Sequence, residues 1–126
     1  MKISILLPYK ENFTPIYAGA VSLFVKDTTK KSKYKKNIIV YGNTSLKKIY
    51  KLNYQNIYLK KILVQSGSKV YVNEFLKHEN KNPSDIIEIH NRPNYFNMIF
   101  EKLKNRKIVL YFHNDPQTMT GSRSTS

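Results

Sequence analysis

Ile108-Val109-Leu110-Tyr111-Phe112 runs unbroken and apolar into His113-Asn114-Asp115-Pro116, and this stretch decides the fold. An apolar run of that length, set between the basic segment Lys104–Lys107 and a proline, reads as a strand buried on both faces, as in parallel sheets. In open α/β sheets ligands gather outside the carboxyl ends of the strands, so His113, Asn114 and Asp115 stand where chemistry is expected. The same three residues before Pro116 also suit an ordinary turn.

Working upstream, Asp85–Ile89 is a second short apolar strand, and it too ends in a histidine followed by an asparagine, His90-Asn91-Arg92-Pro93. Pro93 suits the first turn of a helix whose face is Phe96, Ile99, Phe100 and Leu103. A helix over Lys69–Asn80 precedes it, with Val72, Phe75 and Leu76 on one side and Ser68 as its cap. Leu46–Leu63 has no clean period, although Ile57-Tyr58-Leu59 suggests a short edge strand. Asn37–Tyr41 is a strand turned by Gly42-Asn43, and the lysine-rich Lys30–Lys36 before it reads as a solvated connector.

At the start, Lys2–Leu7 is a buried-type strand closed by Pro8. A polar loop then reaches Ala18-Gly19-Ala20, and Tyr17, Val21, Phe24 and Val25 mark one face of a helix ending near Asp27–Thr29. Gly19 at that helix N-terminus admits close approach of a ligand to bare backbone, where unpaired N–H groups favour phosphate. It equally permits close helix–strand packing, and neither a dinucleotide glycine motif nor a P-loop is present. The alternation predicts one α/β domain, a Rossmann-like parallel sheet of about five strands with helices on both faces. Lys2–Leu7 is expected at its centre, with Ile86–Ile89 and Ile108–Phe112 together on one side.

The chain has 126 residues, no cysteine and a net charge of +14. Disulfides, thiolate chemistry and cysteine-type zinc sites are excluded, and the length suits a single domain. The opening apolar run is too short to span a membrane and lacks a signal cleavage pattern, so the expected location is cytoplasmic, with the inner face of an anionic membrane in reach of the charge. Most of the charge is lysine, and lysine with abundant Asn, Ile and Tyr also follows from AT-rich coding. No RNP pattern, GXXG clamp or zinc-finger spacing marks a specific nucleic-acid reader. A basic nucleic-acid or anionic-surface binding module is the alternative class, and salt dependence distinguishes it. A Rossmann-like hydrolase using His113 and Asp115 lacks a nucleophile elbow, and no metal-ligand spacing is present. Loops at the carboxyl ends of neighbouring strands bring His90, Asn91, Arg92, His113, Asn114 and Asp115 toward Gly19 in one polar cleft.

Four segments together resemble the N-terminal domain of GT-B glycosyltransferases of the retaining group-4, glycogen synthase-like, family. They are the Lys2–Pro8 strand, Tyr17-Ala18-Gly19-Ala20 where the family often has Gly-Gly, Asp85-Ile86-Ile87-Glu88-Ile89-His90-Asn91, and Leu110-Tyr111-Phe112-His113-Asn114-Asp115. The resemblance spans the chain. It implies the acceptor-side half of a two-domain enzyme that moves a sugar from a nucleotide-sugar donor to a glycan or lipid-linked acceptor, with no other cofactor and no metal. The donor-binding C-terminal domain and its paired-glutamate motif are absent from this chain, so turnover by it alone is not expected. Carried over by position, His113 is the catalytic residue at the reaction centre, and Ala18 and Gly19 mark the approach of donor or phosphate. His90, Asn91, Arg92, Asn114, Asp115 and Arg123 line the cleft or meet the acceptor.

Overall fold

The computed structural model of the protein describes residues 1–16, 19–59 and 66–113. Its elements in chain order are β1 (Ile3–Leu6), α1 (Ala20–Lys31), a 3₁₀ turn (Lys35–Asn37), β2 (Ile38–Gly42), β3 (Tyr54–Asn56), α2 (Gly67–Lys81), β4 (Ile86–His90), α3 (Pro93–Lys102) and β5 (Lys107–Tyr111). The five strands form one sheet in the order β3-β2-β1-β4-β5, every pairing parallel. The chain winds outward from β1 to one edge, then crosses back to start again at β4. That reversal is a topological switch point, the place at the carboxyl ends of β1 and β4 where open α/β sheets bind their ligands.

Strand alternation sorts the sheet into two apolar layers. Leu6, Tyr41, Ile87 and Ile89 pack against Tyr71, Val72, Phe75 and Leu76 of α2 and Tyr95 and Ile99 of α3. Ile3, Ile5, Leu7, Ile38 and Val40 face the other way, onto Phe13 and onto Val21 and Val25 of α1. The sheet therefore carries helices on both faces. Every residue of β1 is buried, as its central place requires.

β5 departs from expectation. It is the edge of the sheet in the described residues, with both ends exposed and its middle only half-buried. Ile108 and Leu110 pack toward the α2–α3 layer, while Tyr111 remains 39 % exposed on the other side. An unbroken apolar run therefore corresponds here to an edge strand rather than one covered on both faces. The other edge strand is Tyr54–Asn56, just upstream of Ile57-Tyr58-Leu59. Polar groups fix it: the Tyr54 and Thr44 hydroxyls lie 2.7 Å apart, and Asn56 Oδ1 accepts from Tyr54 OH and from the Thr44 N–H, both at 2.7 Å. Burial pushes the Tyr54 phenol up to about 12.

Helix boundaries shift in the same informative way. Ser66, not Ser68, caps α2, its hydroxyl accepting from Lys69 N–H at 3.2 Å. On α3 the deepest positions are Tyr95 and Ile99, whereas Phe100 is 46 % exposed. Tyr95 goes inside because its hydroxyl accepts the Tyr9 N–H at 3.1 Å. α1 continues to Lys31, beyond the expected end, and its Phe24 is 40 % exposed instead of joining Val21 and Val25 in the core.

Candidate functional site

At the carboxyl end of β1 the candidate site begins with a turn. Glu11 N–H donates to Pro8 O at 3.1 Å, and Lys10 sits at φ 67, a left-handed conformation uncommon for lysine. The turn delivers Glu11 to the start of α1, where its carboxylate accepts the Ser22 N–H at 3.1 Å. Gly19, the residue before the helix, has no side chain to cap it, and a β-carbon built there would fall onto the Glu11 carboxylate. Close approach at Gly19 is real. The group making it is the chain's own anion, favourably placed against the helix dipole.

On the opposite side, β4 ends in His90 and β5 runs past Tyr111 to His113. His90 pairs in register with Tyr111 and the two rings stack, 5.2 Å between centroids and 8° between planes. His113 lies in the same stack, 4.8 Å from the His90 ring, with Phe24 of α1 set edge-on to it at 4.6 Å. His90 Nδ1 and His113 Nε2 are 2.6 Å apart, a hydrogen bond. The histidines differ in access: His90 is 1 % exposed, whereas His113 is half-buried. His113 is therefore open to a ligand at the carboxyl edge of the sheet, whereas His90 is closed off and lines no cleft.

Asn91 sets the position of His113. Its backbone takes φ 55, its N–H donates to Tyr111 O at 2.8 Å, and its side-chain Oδ1 accepts the His113 N–H at 2.6 Å. Asparagine suits the place because it tolerates the left-handed region and carries a short acceptor. Asn91→Ala is expected to cost about 2 kcal/mol, combining strain at φ 55 with one lost hydrogen bond. Asn91→Gly relieves the strain and is expected to cost about 1 kcal/mol. Urea denaturation of both variants checks the split, and equal losses would show that the backbone angle carries no cost. Arg92 is exposed, its guanidinium donating to Asn91 O at 2.7 Å. Ala18, Asn114, Asp115 and Arg123 lie outside the described residues.

Burial lowers the His113 imidazole below its ordinary value of 6.5, helped by neighbouring His90 and opposed by the Glu11 carboxylate. His113 is therefore neutral at pH 7. Because the folded protein holds this proton less tightly than the unfolded chain, the unfolded state binds more protons as pH drops below 6.5. Stability from this site is complete above that pH and declines as pH falls from there toward the lowered folded value. The denaturation midpoint of the wild type is expected to fall more steeply below pH 6.5 than that of His113→Gln; parallel curves would refute it.

Three members of this arrangement escaped the sequence reading. Glu11 and Glu88 are two of only 8 acids in the chain, and Glu88 shares a strand face with His90 by its two-residue spacing, which was a usable signal. Phe24 read as core. Among the described residues no group of three or more His, Asp or Glu is placed to hold a metal ion, and no helix is long and apolar enough to cross a membrane. The fold and site define a parallel α/β domain with its candidate site at the strand carboxyl ends. Comparison with family models, characterised proteins and solved structures returns no match.

Proposed function

We propose that this chain is the acceptor-side domain of a retaining GT-B-type glycosyltransferase, taking part in sugar transfer from a nucleotide-sugar to a glycan or lipid-linked acceptor. One observation supports the reading: a half-buried imidazole, His113, is held at the carboxyl edge of the sheet by His90 and Asn91, where burial favours its neutral form. A neutral imidazole fixed from behind suits recognition of a sugar hydroxyl in a site partly shielded from water. Glu11 refines the roles. Its carboxylate already satisfies the Ser22 N–H, so a donor phosphate reaches the start of α1 only by displacing it. Acceptor hydroxyls suit the site better than phosphate does.

A second reading, polyanion binding, is favoured by Lys26, Lys30, Lys35 and Lys51 around a pocket of about 200 Å³ with Tyr50, beside the carboxyl-terminal half of α1. Amide-resolved NMR titration of the 126-residue chain distinguishes the two. Oligosaccharide acceptors are expected to shift Gly19, Asn91 and His113 with little salt dependence. RNA or anionic vesicles would instead shift the lysine end, with binding collapsing between about 50 and about 200 mM salt. Silence of the site amides toward every oligosaccharide and nucleotide-sugar tried would overturn the glycosyltransferase reading.

A further inference from the structure

His90 is buried to 1 % exposure, yet its ring is in contact with the more open His113. Among the described residues its two ring nitrogens have two polar neighbours: His113 Nε2 at 2.6 Å from Nδ1, and Glu88 Oε2 at 3.5 Å from Nε2, the latter too poorly placed to count as a hydrogen bond. We infer that Glu88 and His90 are positioning residues that hold His113 in one tautomer, with its Nδ1 bare, so that His113 accepts a hydrogen bond from a hydroxyl-bearing ligand instead of donating one. The ligand class rests on the proposed function; the tautomer does not.

The assignment follows from what each atom can do. An ionised carboxylate only accepts, so the His90 nitrogen facing Glu88 is the one that carries the proton. In the opposite tautomer a buried lone pair would face a negative charge, with no other group among the described residues to compensate. With the proton on Nε2, neutral His90 has a bare Nδ1, which must accept. Among the described residues only His113 Nε2–H is within reach to donate. A neutral His113 protonated on Nε2 has no proton on Nδ1. His113 makes two hydrogen bonds among the described residues, through Nε2 and through its backbone N–H, and Nδ1 takes part in neither. The chain of carboxylate, buried histidine and half-buried histidine thus converts the charge of Glu88 into a lone pair aimed away from the stack.

The remaining neighbours leave this bias in place. Phe24 and Tyr111 meet the pair through ring contacts, and Asn91 uses its side-chain oxygen on the His113 backbone. Glu11 acts on His113 through its charge alone and favours the protonated ring, and the Arg92 guanidinium turns back to Asn91 O. A sugar hydroxyl donating to Nδ1 would find an acceptor whose orientation is settled before binding. Preorganisation of that kind raises selectivity for ligands with a donor over isosteres without one.

Two-bond ¹H–¹⁵N NMR of the imidazole rings tests this on the chain as it is, without any ligand. The expected result is a His113 spectrum of the Nε2–H form with a bare Nδ1 near pH 7.5, and His90 in the same form. Glu88→Gln, an isosteric change at a position 24 % exposed, is expected to leave the denaturation midpoint nearly unchanged while mixing the tautomers at both rings. His113 in the Nδ1–H form in the wild type, or a tautomer spectrum unaltered in Glu88→Gln, would overturn the inference. For an oligosaccharide that binds the wild type, Glu88→Gln should weaken affinity about tenfold, the scale of one hydrogen bond lost or reversed. If no sugar binds but the tautomer pattern holds, the proposed function fails and this inference stands.

Discussion

Glu79→Ala is expected to lower the free energy of unfolding by about 3 kcal/mol, the largest loss anticipated from a single polar side chain in this fold. Glu79 is fully buried on α2, and among the described residues four donors converge on its carboxylate. Ser4 of β1 donates to Oε2 at 2.9 Å; the Ser84 N–H at 3.3 Å, the Ser84 hydroxyl and the Arg106 guanidinium at 2.9 Å donate to Oε1. One side chain therefore ties α2 to the central strand, to the turn entering β4 and to the turn entering β5. Alanine removes the acceptor and leaves Ser4 and Ser84 buried with their donors unmet, which is where most of the cost arises. Arg106 is 20 % exposed at its side chain and recovers part of its hydration. Glu79→Gln keeps one oxygen acceptor and should cost roughly half as much. Urea midpoints at constant m-value measure both. A loss below about 0.5 kcal/mol in Glu79→Ala, the range of an ordinary surface change, would show that the network contributes nothing net.

Glu79 also shows where sequence patterning stops. It stands seven residues after Val72 and four after Phe75, on the core stripe of α2, but a glutamate near a helix end reads as solvent-facing until its partners from distant segments are known. The parallel sheet, its central β1 and the pairing of β4 beside β5 were legible because strand–helix alternation and right-handed crossovers leave few arrangements. Edge status was not. Ile108–Phe112 is as apolar as a central strand, and only the list of neighbours in space tells the two apart. The two His-Asn pairs look alike in sequence. Registration separates them: His90 is the last paired residue of β4, opposite Tyr111, while His113 lies two residues past that pair and keeps an open side. Gly19 announced a close approach, but a glycine reports only that something comes near, and Glu11, eight positions earlier, was not legible as that partner.

On the proposed glycosyl-transfer function, His113→Gln in the active enzyme is expected to lower turnover about 10²–10³-fold, the loss typical when one preorganised group at a reaction centre is removed. The choice of glutamine comes from the geometry. His113→Ala would leave buried His90 Nδ1 without its 2.6 Å partner, so that variant carries a stability loss of about 1–2 kcal/mol as well as the loss of turnover. Glutamine has an amide N–H able to reach back toward His90 and lacks the imidazole lone pair offered to the ligand. Stability should therefore stay within about 0.5 kcal/mol of wild type in His113→Gln, while kcat/KM per folded molecule falls. The pH profile adds an independent reading: wild-type activity should fall as the pH drops below the lowered titration point of His113, because protonation turns the Nδ1 acceptor into a donor. His113→Gln should lose that acid limb and keep its low rate across the same range. If both variants lose stability and retain wild-type turnover per folded molecule, His113 is part of the scaffold, and the reaction centre lies elsewhere along the carboxyl edge of the sheet.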